Sequence, residues 1–443
     1  MQRFLQVLFW AVIPAAFVGP GTVTTAASSG ARFEYALLWA LVFSTLATFV
    51  LQEASARIAI VSGQPLAAAI HRQFRGSRGW IGIAALVVGA IILGCAAFQV
   101  GNVLGAVAGA QLALPWSPRL VTVALGLAAG FLLYRGSQQT VARVLGVVVA
   151  VMGITFLVTA ALLRPDPVEV TRGALWPTLP PGASLLVLGL VGTTVVPYNL
   201  FLGSRLAVGQ GLGEARFGLA VAIGLGGLIS MGILLVGTKV AGPFGYAGVA
   251  EALSRELGAW AGSFFAVGLF AAGFSSAITA PLAAAITARG LFGREGLARW
   301  GERSWRYIGI WLGVLLTGIG FGLTDVQPIP AIVLAQAANG ILLPLLSVFL
   351  LLAVNDRGVM GGQLNGRLSN FFMAIMVGVC AVLGVAKTMQ ALAAALGMPA
   401  PAEKTILTVS TLVALALAVP VTILVHSRRR SWRETPLAGA RPE

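Results

Sequence analysis

Long apolar stretches, separated by short polar ones, run along almost the entire chain. Most of them are about 20 residues long, the length that an α-helix needs to cross the hydrocarbon core of a bilayer. A shorter, interfacial helix is predicted at 64–74. The pattern predicts an all-α polytopic membrane protein with about twelve transmembrane helices, at 5–31, 36–61, 80–107, 119–135, 140–163, 185–207, 215–241, 258–288, 307–323, 329–353, 367–395 and 404–426.

Two of these spans are interrupted in the middle. Gly19-Pro20-Gly21-Thr22 breaks span 1, and the segment from Thr193 to Asn199, around Pro197, breaks span 6. Proline removes a backbone donor and glycine frees φ, so neither segment continues a helix well. Such freed backbone groups are tolerated in a membrane only inside protein or beside a water-filled cavity. The matching breaks predict a transporter binding site, with two kinked structural helices as the alternative.

The longest polar connection divides the chain at 164–184. Spans 1–5 (1–163) and spans 6–10 (185–353) then form two five-helix units that start on opposite sides of the membrane. This arrangement predicts two inverted repeats, each opened by an interrupted helix. Residues 354–427 supply two additional spans, and 428–443 form a tail.

Composition supports this architecture. The chain is 58% hydrophobic and only 10% charged, whereas a soluble domain has about 25% charged residues. With the N-terminus inside, 21 of the 29 lysines and arginines fall on the cytoplasmic side. The positive-inside rule therefore predicts that both termini lie in the cytoplasm. The expected location is the cell's inner membrane, as a multi-pass protein. Topology and contact with the lipid bilayer explain the net charge of +15, so no nucleic-acid partner is expected.

Three motifs then point to a family. Gly19–Thr22, Val196–Ser204 and Leu334–Pro344 resemble the first-, sixth- and tenth-helix motifs of the Nramp divalent-metal transporters. The resemblance implies the LeuT-type fold, with two inverted five-helix repeats plus two C-terminal helices. It also implies a monomer that is not an enzyme and carries no cofactor.

The side chains that bind metal in that family are missing here. The family's first-helix Asp and Asn correspond to Gly19 and Thr22. In the sixth helix, Thr193 takes the place of an alanine whose carbonyl coordinates, Val196 that of a methionine, and Tyr198 that of a histidine. Without the carboxylate and the thioether, selectivity for a soft metal is not expected.

The family's proton route is altered as well. Its two third-helix acidic residues correspond to Gln99 and Asn102, and neither amide titrates. The usual proton coupling is therefore predicted to be absent.

What remains at the breaks is a set of neutral oxygen atoms. Thr22 and Thr193 are the candidate metal ligands, through neutral oxygens only. The full predicted binding set is Gly19, Thr22, Thr193, Thr194, Val196, Tyr198, Gln336 and Asn339.

Glu53 is the one acidic residue well inside a predicted span. It precedes Arg57 by four residues, which places the two on one helix face and favours an ion pair. A structural pair is one interpretation. The other is a part in an inner gate or a cation path, because an acidic group inside the membrane is often functional.

Two transport hypotheses follow, beside a third in which the protein is a non-transporting sensor on the same scaffold, which no added soluble domain supports. In the first, the protein is a secondary transporter of an inorganic, divalent cation that keeps part of its water, since magnesium dehydrates reluctantly. In the alternative, it carries a non-metal solute, an anion or an amino-acid-like molecule, because half-helix N-termini favour anionic groups. The expected partner is a small inorganic ion or a small solute.

Overall fold

The computed structural model describes residues 10–74, 80–136, 138–240, 242, 244–292, 297–324, 326–329, 331–332, 342–396, 398–399 and 401–430. Within these residues the protein is helical throughout and has no strand. In chain order the helices are α1 (Val12–Phe17), α2 (Pro20–Phe33), α3 (Leu38–Ser62), α4 (Leu66–Phe74), α5 (Trp80–Ala113), α6 (Pro118–Arg135), α7 (Gln138–Leu162), α8 (Pro167–Leu175), α9 (Ser184–Thr194), α10 (Pro197–Ala207), α11 (Leu212–Gly237), α12 (Tyr246–Leu257), α13 (Ala259–Phe292), α14 (Trp305–Gly322), α15 (Leu342–Ala353), α16 (Arg357–Met360), α17 (Arg367–Ala395) and α18 (Glu403–Arg430), with a 3₁₀ turn at Leu297–Trp300.

The predicted spans agree with these helices. Ten segments among the described residues are long and apolar enough to cross a membrane, when α9 and α10 are taken together as one span. Helices α1 and α2 form the interrupted span 1, and α15 covers the second half of predicted span 10. The all-α architecture with about twelve spans is therefore confirmed. The boundaries of the two inverted repeats stay a prediction.

Two connections contain helices that the apolar pattern did not predict. Helix α8 lies inside the polar connection 164–184, where the Asp166 side chain accepts a hydrogen bond from the Val168 amide at 2.9 Å. Proline at the first helical position, Pro167, also suits a helix start. Helix α12 lies between spans 7 and 8. Both helices are too short to span a membrane, so a search for long apolar runs overlooks them.

Helix α13 packs closely along α5 and brings a polar side chain to the first break. A Cβ atom added at Gly273 would lie 2.5 Å from the Ala106 amide nitrogen, so only glycine permits this approach. Small residues at such contacts are typical of membrane helix pairs. One turn further along α13, Ser276 reaches the end of α1, where its hydroxyl donates to the Ala15 carbonyl at 3.2 Å.

Candidate functional site

The break in span 1 falls at Val18 and Gly19, between α1 and α2. The sequence placed it at Gly19–Thr22, and this position was too late by about two residues. Pro20 is the first residue of α2, and Thr22 belongs to the first turn of that helix. The physical reason is that proline at the first helical position loses no hydrogen bond, since that N–H has no partner within a helix anyway.

The break in span 6 follows the same rule. It falls at Val195 and Val196, so that Thr193 and Thr194 end α9 and Pro197 begins α10. The predicted break from Thr193 to Asn199 was therefore too long. In both spans, a proline starts the second half-helix directly after two residues with non-helical backbone.

The two breaks meet in the interior. The Tyr198 hydroxyl of α10 donates to the Ala16 carbonyl of α1 at 2.9 Å. One residue on, the Asn199 side-chain amide donates to the Ile13 carbonyl at 3.2 Å. These two bonds cross from the second break to the first, so the predicted residues of spans 1 and 6 lie in one place.

The last four carbonyls of α1 all accept a hydrogen bond. Helix ends leave these groups without intrahelical partners, so other donors must satisfy them. The donors are the Val18 amide to Pro14 at 2.8 Å, the Ser276 hydroxyl to Ala15 at 3.2 Å, the Tyr198 hydroxyl to Ala16 at 2.9 Å and the Thr22 hydroxyl to Phe17 at 2.5 Å. Each carbonyl at the end of α1 therefore has a neutral hydrogen-bond donor.

The end of α9 is different. The Thr193 and Thr194 hydroxyls both donate to the Leu190 carbonyl, at 3.1 and 2.8 Å. Helix ends leave their last carbonyls without intrahelical donors, so the last residues of α9, Thr193 and Thr194, offer their carbonyl oxygens as candidate ligands.

Four hydroxyl groups at the breaks all act as hydrogen-bond donors to the backbone. The Thr22, Thr193, Thr194 and Tyr198 hydroxyls each use their hydrogen on a backbone carbonyl, which leaves the oxygen lone pairs as acceptors. All four side chains are buried. Such oxygens can approach a positive charge, but they have no hydrogen left to offer an anion.

Two buried amide oxygens add to this surplus of acceptors. The Gln52 side chain of α3 donates from its nitrogen to the Asn199 carbonyl at 3.0 Å, while its oxygen Oε1 has no hydrogen-bond partner among the described residues. The Asn199 oxygen Oδ1 is likewise buried and unpartnered. An unpaired buried acceptor is costly, so these two oxygens need a donor or a cation. The predicted binding set did not include either residue, and the pattern of residues alone did not single out Gln52.

Gly19 faces α13 and α5 across the first break. Its backbone is extended, with φ −105° and ψ −175°, which any residue can adopt. A Cβ atom at this position would lie 2.7 Å from Ser276 Oγ and 3.6 Å from Asn102 Oδ1. Any side chain larger than that of glycine would therefore clash with the Ser276 hydroxyl in its present position.

The two positions that resemble the family's proton route form an amide chain. Gln99 donates its side-chain nitrogen to the Ala277 carbonyl at 3.0 Å, and Asn102 donates to Gln99 Oε1 at 3.4 Å. Both side chains are buried. These two amides lead from α13 towards Gly19, and neither side chain titrates near neutral pH.

The remaining predicted residues contribute less or lie outside the described residues. Val196 is buried and begins α10 with an apolar side chain. Gln336 and Asn339 are the two that lie outside the described residues. Among the residues that are described, no group of three or more His, Cys, Asp or Glu side chains is placed to hold a metal ion.

Glu53 and Arg57 form the predicted ion pair, at 3.2 Å, and a second arginine joins them. Arg216 of α11 reaches Glu53 Oε1 at 2.7 Å. Arg57 also donates to the Gln363 carbonyl at 3.0 Å and to the Asn365 side chain. The cluster ties α3 to α11 and to the segment before α17, which supports the structural interpretation, and a part in an inner gate stays a prediction.

On the opposite side of the break, the Thr24 hydroxyl of α2 lies 2.6 Å from the Tyr246 hydroxyl of α12. Burial raises the pKa of the Tyr246 phenol well above its ordinary value. The phenol therefore stays neutral at physiological pH and joins α12 to α2 through a neutral hydrogen bond.

Sequence comparison places these features among transporters. The profile of the Nramp family, natural resistance-associated macrophage protein-like, matches residues 11–390. A similar protein is the divalent metal cation transporter MntH of Deinococcus radiodurans. The two are 29% identical over 392 residues, which cover 83% of this chain and 86% of the relative.

Solved structures agree on the fold. A mutant of the Eremococcus coleocola manganese transporter has a TM-score of 0.74 with 20% identity, covering 97% of this chain and 95% of that one. MhsT in complex with L-phenylalanine has a TM-score of 0.58 with 15% identity, covering 87% and 98% of the two chains. At these identities the likeness concerns the fold alone, and it confirms the LeuT-type architecture.

Proposed function

This chain belongs to the Nramp family, and on that premise we propose that it transports a divalent cation, still partly hydrated, through neutral oxygen atoms at the two helix breaks. Family membership makes it a multi-pass membrane transporter. The cation, the ligands and the absence of the usual proton coupling are the proposed part.

The direction of the hydrogen bonds at the breaks is the observation that supports the proposal. Thr22 and Thr193 spend their hydroxyl hydrogens on carbonyls, so only lone pairs remain for a ligand. Within the part of the chain that the structure describes, Gln52 Oε1 and Asn199 Oδ1 are buried acceptors without a partner. An anion would need donors at this place, whereas a cation or its water shell needs acceptors. This surplus of acceptors favours a cation over an anion.

Charge determines how the cation is held. A desolvated divalent ion needs negative ligands, and stripping its water without them is costly. The position of the family's aspartate is Gly19, and no acidic or histidine cluster suited to a metal exists in the described part of the protein. A cation that keeps part of its water avoids this cost, because water oxygens take the place of the missing carboxylate.

The choice of a divalent ion comes from relatives. The Deinococcus radiodurans protein that is 29% identical is named a divalent metal cation transporter. Val196 offers no sulfur for a soft metal, so hard ions such as Mg²⁺ or Mn²⁺ are the expected substrates. Gln99 and Asn102 do not titrate, so we expect transport without the family's proton coupling.

Calorimetry on the purified protein tests the proposal. We expect Mg²⁺ or Mn²⁺ to bind in a 1:1 ratio, and Thr22→Val or Thr193→Val to weaken binding roughly two- to tenfold, as expected for one lost polar contact. Thr159→Val is the matched control. It removes a buried hydroxyl that likewise donates to a helix carbonyl, Thr155, on α7.

The opposite result is equally clear. Binding of an amino acid or an inorganic anion, with none of the divalent cations bound, would support the alternative substrate class. Equal losses in the Thr22, Thr193 and Thr159 variants would mean that the hydroxyls at the breaks act only in folding.

A further inference from the structure

A separate cavity of about 310 Å³ lies at the end of the protein that the charge distribution predicts to be cytoplasmic. The end of α6, the end of α10 and the segment before α14 line it, and Val12 of α1 contributes to its wall. We call this the basic cavity and define it by Tyr134, Arg135, Arg205 and Arg303. A neighbouring cavity of about 400 Å³ shares Tyr134, Arg135 and Arg303, so the space continues outwards.

Positive charge exceeds negative charge among the described residues that line the basic cavity. Glu302 is the one acidic residue among them, and it is bound to Arg289 at 3.1 Å. Among the described residues, Arg135, Arg205 and Arg303 form no salt bridge and no hydrogen bond. Three arginines that line one space, whose described carboxylate is already paired with a fourth arginine, are typical of an anion site.

The type of side chain limits which anions fit the basic cavity. Arginine presents a planar fork that matches the oxygens of a phosphoryl group in pairs. Tyr134 lies at the mouth with 62% of its surface exposed, and Trp305 nearby is 77% exposed. Exposed tyrosine and tryptophan at the end of membrane helices mark the level of lipid headgroups. Basic pockets between membrane helices at this level suit anionic headgroups.

We propose that the basic cavity binds an anionic phosphoryl group, supplied by a phospholipid headgroup or by free phosphate. The site stands apart from the helix breaks and does not depend on the identity of the transported substrate. Because Val12 of α1 and Arg205 of α10 both face it, a bound phosphoryl group contacts the inner halves of both interrupted helices. It also neutralises positive charge where a cation would otherwise be repelled.

Binding measurements on the purified, delipidated full-length protein test the proposal. Three probes are titrated separately: phosphatidylglycerol in mixed micelles, phosphatidylcholine in the same micelles, and inorganic phosphate. The variants are Arg135→Gln, Arg205→Gln and Arg303→Gln. Arg143→Gln is the matched control, because Arg143 is an exposed arginine at the same end of the protein and does not line the cavity.

We expect phosphatidylglycerol to bind at least tenfold more tightly than phosphatidylcholine. Each cavity variant should lose about tenfold in affinity, the effect of one charge-assisted contact, while Arg143→Gln binds like the wild type. This result identifies a lipid headgroup. If inorganic phosphate binds with the same dependence on the three arginines and phosphatidylglycerol has no advantage, the phosphoryl group comes from solution.

Two results overturn the proposal. One is that wild-type protein binds phosphatidylglycerol no better than phosphatidylcholine and does not bind inorganic phosphate, a comparison that needs no variant to fold. The other is that Arg143→Gln loses as much affinity as the cavity variants, which would assign binding to the general charge of the surface.

Discussion

Restoring a carboxylate at the first break tests whether Gly19 faces the cation. The variant is Gly19→Asp combined with Ser276→Ala. The backbone at Gly19 is extended and accepts any residue, but a Cβ atom there would lie 2.7 Å from Ser276 Oγ. Alanine at position 276 removes that oxygen and leaves a Cβ–Cβ separation of 3.4 Å, which is a tolerable contact.

The expected gain follows from Coulomb's law. A carboxylate about 4 Å from a divalent cation contributes about 8 kcal/mol at an effective dielectric constant of 20, twice the value for a single charge. Desolvation of the new carboxylate offsets a large part of this attraction. We therefore expect Mn²⁺ to bind about tenfold to a hundredfold more tightly than it binds the wild type, equivalent to about 1.4–2.8 kcal/mol.

Isothermal calorimetry in detergent measures the change. Gly19→Asn with Ser276→Ala is the matched control, because it has nearly the same shape without the charge and should gain little. Ser276→Ala alone accounts for the hydroxyl lost from the Ala15 carbonyl. If the folded Asp variant binds Mn²⁺ no better than the Asn variant, then position 19 does not face the cation and the proposed site is wrong.

Three further predictions concern the surroundings of the site. Tyr198→Phe should lower the free energy of unfolding by about 1–2 kcal/mol in a thermal melt, because the buried Ala16 carbonyl loses its donor. Glu53→Gln should lower it by about 2 kcal/mol, since Arg57 and Arg216 lose a partner that is 15% exposed rather than fully buried. Gln99→Glu should make cation uptake into proteoliposomes respond to an imposed pH gradient, to which the wild type is indifferent.

Each of these has a contrary outcome. An unchanged melt for the tyrosine variant would mean that the end of α1 is satisfied in another way, for example by water. If Glu53→Gln leaves the free energy of unfolding unchanged, the cluster contributes no more to stability than a surface ion pair does. Wild-type uptake driven by a proton gradient would show that a different titratable group replaces the family's proton route.

The breaks themselves were predictable from the sequence, because proline and glycine in the middle of a long apolar run interrupt the helix that the run would otherwise form. Their exact residues were not. Pro20 and Pro197 each start a helix, so Thr22 and Thr194 are helical where the sequence suggested unwound chain. The missing N–H that disqualifies proline from a helix interior makes it suitable for the first turn.

The polarity of the site could not be predicted from residue types alone. Threonine and tyrosine hydroxyls can donate or accept, and only the carbonyls around them decide which they do. Nothing in the pattern of residues set Gln52 apart from the other polar residues in the spans. Its role depends on the Asn199 carbonyl, which lies 147 positions away along the chain and close by in the fold.

The sequence predicted one of the two arginines that pair with Glu53. Spacing along one helix identified Arg57, since residues four apart share a face. Arg216 comes from α11, and no periodicity within α3 could indicate it. Contacts within one helix can be predicted from the spacing of residues along the chain. Contacts between helices depend on how closely the helices pack, which small residues such as Gly273 permit.

Uptake into proteoliposomes most directly tests the claim that neutral oxygens at the breaks carry a divalent cation. We predict saturable entry of Mg²⁺ or Mn²⁺, unaffected by a pH gradient and slowed in Thr22→Val but not in Thr159→Val. Uptake of an anion or an amino acid by the same vesicles, with no divalent cation entering, would contradict it.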